Sequence, residues 1–130
     1  MRGHILGLIL ALCLQYALGM YANLFVTFPH TDDIHTRWVF AMDTPLLAAH
    51  VVLGTLLLIG AIVLVIRTKS SKIRLPAYFG LLGVVLAWLG GERFISTQNN
   101  FFSYIMSLSF LLTLLAYYFA FTHIKNIQER

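Results

Sequence analysis

The run PLLAAHVVLG, residues 45–54, sets one imidazole, His50, inside an otherwise apolar stretch. An ionisable group within a membrane-spanning segment faces the bundle interior and is a functional candidate by default. A charged imidazolium would be costly there, so the ring is expected neutral, with one donor and one acceptor nitrogen. Three kinds of chemistry suit such a ring. It can ligate a haem iron through one nitrogen while a carbonyl or polar neighbour holds its other N–H. It can hydrogen-bond or titrate along a transport path. It can also bond a polar side chain across a helix interface.

Residues that could work with His50 follow a helical spacing. Gly7, Ala11, Gln15, Gly19 and Asn23 recur at every fourth position, along one slightly slanting helix face. Small residues let backbones approach, and Gln and Asn bond between helices. Gly54, one turn from His50, leaves room for a planar group against the helix. The segment FFSYIMSLSF adds Met106, a thioether that can ligate iron, and the hydroxyl of Ser107. Elsewhere, HTDDIH groups His30, Asp32, Asp33 and His35, side chains competent to hold zinc, nickel or copper(II).

The elements that must position these residues are spans. Of 130 residues, 59 % are hydrophobic and 11 % charged. No Asp, Glu, Lys or Arg lies between Arg2 and Asp32, Asp43 and Arg67, Arg74 and Glu92, or Arg93 and Lys125. Each window approaches or exceeds the roughly 20 apolar residues that cross a hydrocarbon core. Each is continuously apolar and not alternating, which predicts helices at about 5–28, 44–66, 74–92 and 101–123. The fold class is all-α: a polytopic four-helix transmembrane bundle forming one domain over 1–130.

Basic residues set the expected orientation. Arg2, Arg67, Lys69, Lys72, Arg74, Lys125 and Arg130 fall on one side, and Arg37 and Arg93 on the other. Both termini are therefore expected in the cytoplasm, and Arg2 with the following apolar run reads as a span and not a cleaved signal peptide. The net charge of +4 reflects this topology, with no nucleic-acid partner implied. Lone Cys13 is read as packing.

With a rise of about 1.5 Å per residue, Asn23, His50, Met106 and Ser107 share one layer in the outer half of the membrane, flanked by Trp88 and Gly91. A lid formed by a short interfacial helix in the loop over 29–43 would gate that layer. Arg93 and Glu92 end the third span; Arg93 could hold an anion and Glu92 could bond His50. Asn in STQNN is a plausible cap for the fourth helix. His4 and His123 lie near the cytoplasmic end, as interfacial anchors or a second site. Tyr21, Phe28, Trp38, Phe101 and Tyr104 form an outer aromatic belt, and Tyr78, Tyr117, Tyr118 and Phe121 an inner one.

Residues 45–91, from His50 through the basic turn to the Gly-rich third span, resemble one half of haem A synthase. The resemblance implies a four-helix bundle with His50 as iron ligand. That family's partner ligand is a His early in the fourth helix, where this chain offers Met106 instead. The segments GMYANLF, HVVLG and FFSYIMSLSF also resemble small four-span bacterial membrane proteins of unassigned function. The expected location is a bacterial or archaeal plasma membrane.

No catalytic triad, phosphate-binding Gly loop or pair of intramembrane carboxylates is present, which excludes hydrolase, kinase and proton-pump readings. The leading expectation is a small b-type haem or redox protein. His50 and Met106 would bind iron, Asn23 and Ser107 would support them, Gly54 would give room, and Arg93 or Arg37 would face the propionates. A quinone or redox protein would be its partner. The alternatives are a small homo-oligomeric transporter or channel using Gln15, Asn23, His50 and Ser107, and a non-catalytic accessory subunit of a membrane complex.

Overall fold

A computed structural model describes residues 1–69 and 71–128, with the side chains of 71 and 125–128 excepted. Arg130 and the Lys125 side chain, both counted in the charge asymmetry, lie outside the described residues. The described chain is all-helical: α1 Arg2–Phe25, α2 Ile34–Asp43, α3 Pro45–Arg67, α4 Ser71–Thr97 and α5 Asn100–Gln128. Four of these, all but α2, contain stretches long and apolar enough to cross a membrane.

The differences from the expected boundaries have local causes. α1 stops at Phe25, and Val26 is extended at φ −101° and ψ 119°. Pro29 disfavours helix at Phe28, so the chain leaves α1 earlier than hydropathy alone suggests. α3 opens with Pro45 in its first turn, where a missing N–H costs nothing. α4 runs past Glu92 and Arg93 to Thr97, because charges end a hydrocarbon span without ending a helix. Gln98, at φ 53°, terminates it. The Asn99 side-chain oxygen accepts the Phe101 N–H at 2.9 Å and caps α5, as the STQNN segment predicts.

The long helices form a ring in which α1 packs on α3 and α5, and α4 packs on the same two. Large apolar side chains such as Leu10, Phe25 and Ile66 are 62–76 % exposed on the outer faces. That surface is compatible with lipid, where close packing of small residues holds helices together in place of a hydrophobic drive. The α4–α5 seam illustrates this. A Cβ on Gly80 would overlap Tyr117, one on Gly83 would overlap the Thr113 hydroxyl, and one on Gly90 would come within 3.0 Å of Met106 Cγ. The small residues of α4 thus surround another helix and not a flat cofactor. Tyr117, expected in an aromatic belt, is fully buried in this seam. Cys13, expected to pack, is exposed.

α2 closes one end of the ring, the cap end; the end of α3 at Arg67 and the start of α4 near Arg74 mark the basic end. Asp33 starts α2 by accepting the His35 and Thr36 N–H groups. Its carboxyl is held below the ordinary carboxylate range, first by the Thr36 hydroxyl and then by the Thr36 N–H. Arg37, expected as an outer charge or a partner of propionates, is buried. Its guanidinium donates to the Thr31 carbonyl and, at 2.5 Å, to the Ser96 carbonyl at the end of α4. Gln98 Nε2 donates to the Pro29 carbonyl at 3.2 Å. Ala41, Leu47 and Ile95 form a small core beneath, joined by Phe28, Trp38 and Phe40.

Candidate functional site at the α1–α3 seam

His50 points from α3 into α1. Gln15 Nε2 lies 3.0 Å from the His50 carbonyl oxygen and 3.3 Å from His50 Nε2. The carbonyl can only accept, so the amide must present its NH2 group there. The same nitrogen then donates to the ring, which makes Nε2 the acceptor and places the neutral ring's proton on Nδ1. Buried Nδ1 and buried Gln15 Oε1 have no hydrogen-bond partner among the described residues. One seam therefore carries an unspent donor and an unspent acceptor. Each costs about 1–3 kcal/mol while unmade.

Two glycines make the approach possible, and they do so reciprocally. A Cβ on Gly19 of α1 would lie 2.9 Å from His50 Cε1, and a Cβ on Gly54 of α3 would lie 3.0 Å from Gln15 Nε2. Each polar side chain thus rests on the glycine one turn beyond its opponent. Ile5, Leu8 and Leu12 of α1, with Leu57, Ala61 and Leu64 of α3, continue the seam as a buried apolar plug toward the basic end.

The layer expected from depth divides between interfaces. Residues 15, 19 and 23 advance about 40° around the helix at each step of four. Gln15 and Gly19 accordingly face α3, while Asn23 turns to α5 and accepts the Ser103 hydroxyl at a long 3.4 Å. Ser107 is exposed and donates to its own helix at Ser103 O, 3.1 Å away. Met106 faces α4, its Sδ 3.5 Å from the Cβ position of Gly91. The expected partners of His50, Asn23 and Ser107, are thus replaced by Gln15. The signal was present: a polar residue followed four positions later by Gly occurs on both spans, at Gln15–Gly19 and His50–Gly54.

This donor set does not fit haem as it stands. His50 Nε2 already accepts a hydrogen bond and its ring is seated against Gly19; the Met106 sulfur faces a different helix on the far side of the ring. Gly54 receives Gln15 and offers no bed for a macrocycle. Arg37 is engaged with carbonyls, and exposed Arg93 lies 3.7 Å from Glu92. Glu92 accepts the Ser96 hydroxyl at 3.2 Å and does not bond His50.

The other metal and histidine expectations also change. Among the described residues no three His, Cys, Asp or Glu side chains form a metal-competent group. In the HTDDIH segment Asp33 is spent as the α2 cap and Asp32 lies 3.8 Å from Arg37, so His30 and His35 lack a converging carboxylate. His4 faces the Gly60 surface of α3, whereas His123 lies on the α4–α5 side, so they make no joint site.

A hollow of about 530 Å³ opens on the cap side of the seam, with Tyr21, Val26, Phe40, Thr44 and Leu46 among its walls. Leu46 is one helical turn from His50, so the hollow approaches the Gln15–His50 pair along α3. The pair can offer N–H to a carbonyl and an amide oxygen to a donor, and no formally charged side chain hydrogen-bonds to it. No protein-family model, curated protein or solved structure matches this chain.

Proposed function

We propose that this chain is a small oligomeric membrane transporter whose polar station is the Gln15–His50 pair. The observation that carries this reading is the unspent Nδ1–H donor and Oε1 acceptor, buried at the seam with a hollow whose Leu46 wall lies one helical turn away on the cap side. A solute that accepts one hydrogen bond and donates another would satisfy both groups, as urea or a primary amide does. The Leu8–Leu12–Leu57 plug closes the other side, so passage requires the seam to loosen toward the basic end. Asn23 and Ser107 are exposed at membrane depth, where uncovered polar groups are disfavoured; a neighbouring copy of the chain would cover them. The charge asymmetry supports both termini in the cytoplasm.

Stopped-flow light scattering on proteoliposomes tests the reading with urea, acetamide and glycerol gradients. Wild-type vesicles should relax faster than protein-free ones for at least one of these solutes, and His50→Leu should return to the protein-free rate. Wild-type rates equal to empty vesicles for all three solutes would refute it. A chain that aggregates alone and is rescued by a co-expressed subunit would favour the accessory role.

A further inference from the structure

A second hollow, of about 540 Å³, runs along the outer side of the α4–α5 seam at the basic end. Its floor is low because the residues there are small or ring-closed, Pro76 and Ala116. Its walls are exposed large apolar side chains, Leu75 and Phe79 of α4 with Leu115 and Phe119 of α5. Two polar side chains stand at its mouth, Lys72 and His123. His123 Nδ1 donates to the Phe119 carbonyl at 2.9 Å, which turns Nε2 toward outside partners. Pro76 has no N–H to give the Lys72 carbonyl, so that oxygen lacks its usual helical donor.

The dimensions and the charge select the occupant. From Lys72 to Phe79 the groove spans about 10 Å of helix, and from His123 to Leu112 about 16 Å. That is close to half of a hydrocarbon core of about 30 Å, the depth of a single leaflet. The groove is thus apolar over the reach of one acyl chain and cationic only at its membrane-surface end. Arg67 and Arg74 flank that end in sequence and strengthen the positive field. Basic pockets between spanning helices suit anionic lipid headgroups.

We propose that this groove binds one anionic phospholipid, with its phosphate at Lys72, a headgroup hydroxyl donating to His123 Nε2, and one acyl chain between the Leu75–Phe79 and Leu115–Phe119 walls. The phosphate pairs with the ammonium of Lys72, and the chain covers a face that packing within the protein leaves open. A neutral lipid would fill the walls but lose the ionic contact.

The test is native mass spectrometry of the full chain in detergent, titrated with dioleoyl phosphatidylglycerol or dioleoyl phosphatidylcholine. One phosphatidylglycerol should stay bound under activation that strips phosphatidylcholine. Lys72→Ala should weaken that preference about five-fold, whereas Lys69→Ala, a cation outside the groove, should leave it nearly intact. Both positions are exposed, so neither change threatens the fold. Equal retention of the two lipids, or equal losses in the two variants, would overturn the proposal. So would displacement of the lipid by inorganic phosphate, which would mark a plain anion site with no role for the chain groove.

Discussion

Replacing Gln15 and His50 singly and together gives an asymmetric outcome that the seam geometry fixes in advance. Gln15→Leu removes two hydrogen bonds at once, those at 3.0 and 3.3 Å, and takes the unspent Oε1 with it, but leaves ring Nε2 unspent beside Nδ1. Interhelical hydrogen bonds in membranes average about 0.6 kcal/mol with a maximum near 1.7. Two such bonds amount to about 1–2 kcal/mol, the newly orphaned Nε2 being offset by the orphaned Oε1 that leaves with the amide. His50→Leu is milder. The backbone carbonyl at position 50 still accepts from Gln15, so only the longer bond is lost, and the unsatisfied Nδ1 disappears with the ring. Its cost should stay below about 1 kcal/mol. The double variant should cost less than the sum of the two, with a coupling of about 1 kcal/mol. Detergent-driven unfolding in mixed micelles, followed by circular dichroism, measures all four corners of the cycle. Additivity within about 0.4 kcal/mol, or a costlier His50→Leu than Gln15→Leu, would refute the bidentate clamp and the Nδ1–H tautomer derived from it.

Two further outcomes follow from the same structure. Gly80→Ala drives a methyl into the Tyr117 ring and should destabilise α4–α5 at the upper end of the overpacking range, about 3 kcal/mol, while Gly7→Ala meets nothing within 4 Å and should be neutral or stabilising in the same unfolding assay. The Asp33 carboxyl has a lowered folded-state pKa, so its cap contribution is present above the unfolded value near 3.9 and fades as pH falls through the folded one. Hydrogen exchange at His35 and Thr36 should accordingly show protection, relative to intrinsic exchange, that is unchanged from neutral pH to about pH 4 and weakens below it.

The four long helices were legible because charge-free windows of spanning length leave few other structures for a backbone in hydrocarbon. A short helix in the loop over 29–43 was legible too, from its length and its aromatic residues. The site was legible only in part. Depth along an axis placed His50, Asn23 and Met106 at one level, but rotation about the axis decides which neighbour each one meets. A four-residue repeat slips about 40° per step, enough to carry Asn23 from the α3 side to the α5 side. Tyr117 misled for a related reason. Its position near a span end suggests a belt, and only the opposing Gly80 reveals a socket. Arg37 could not be read from sequence, because its partners are main-chain carbonyls, which every position possesses.

That last feature has an evolutionary consequence. A guanidinium that grips carbonyl oxygens of residues 31 and 96 reads the course of the backbone and is blind to which side chains those positions carry. Both positions can drift without loosening the grip, whereas position 37 cannot lose its fork of donors. For this contact the side-chain requirement falls on position 37, while residues 31 and 96 need only keep their backbone in place.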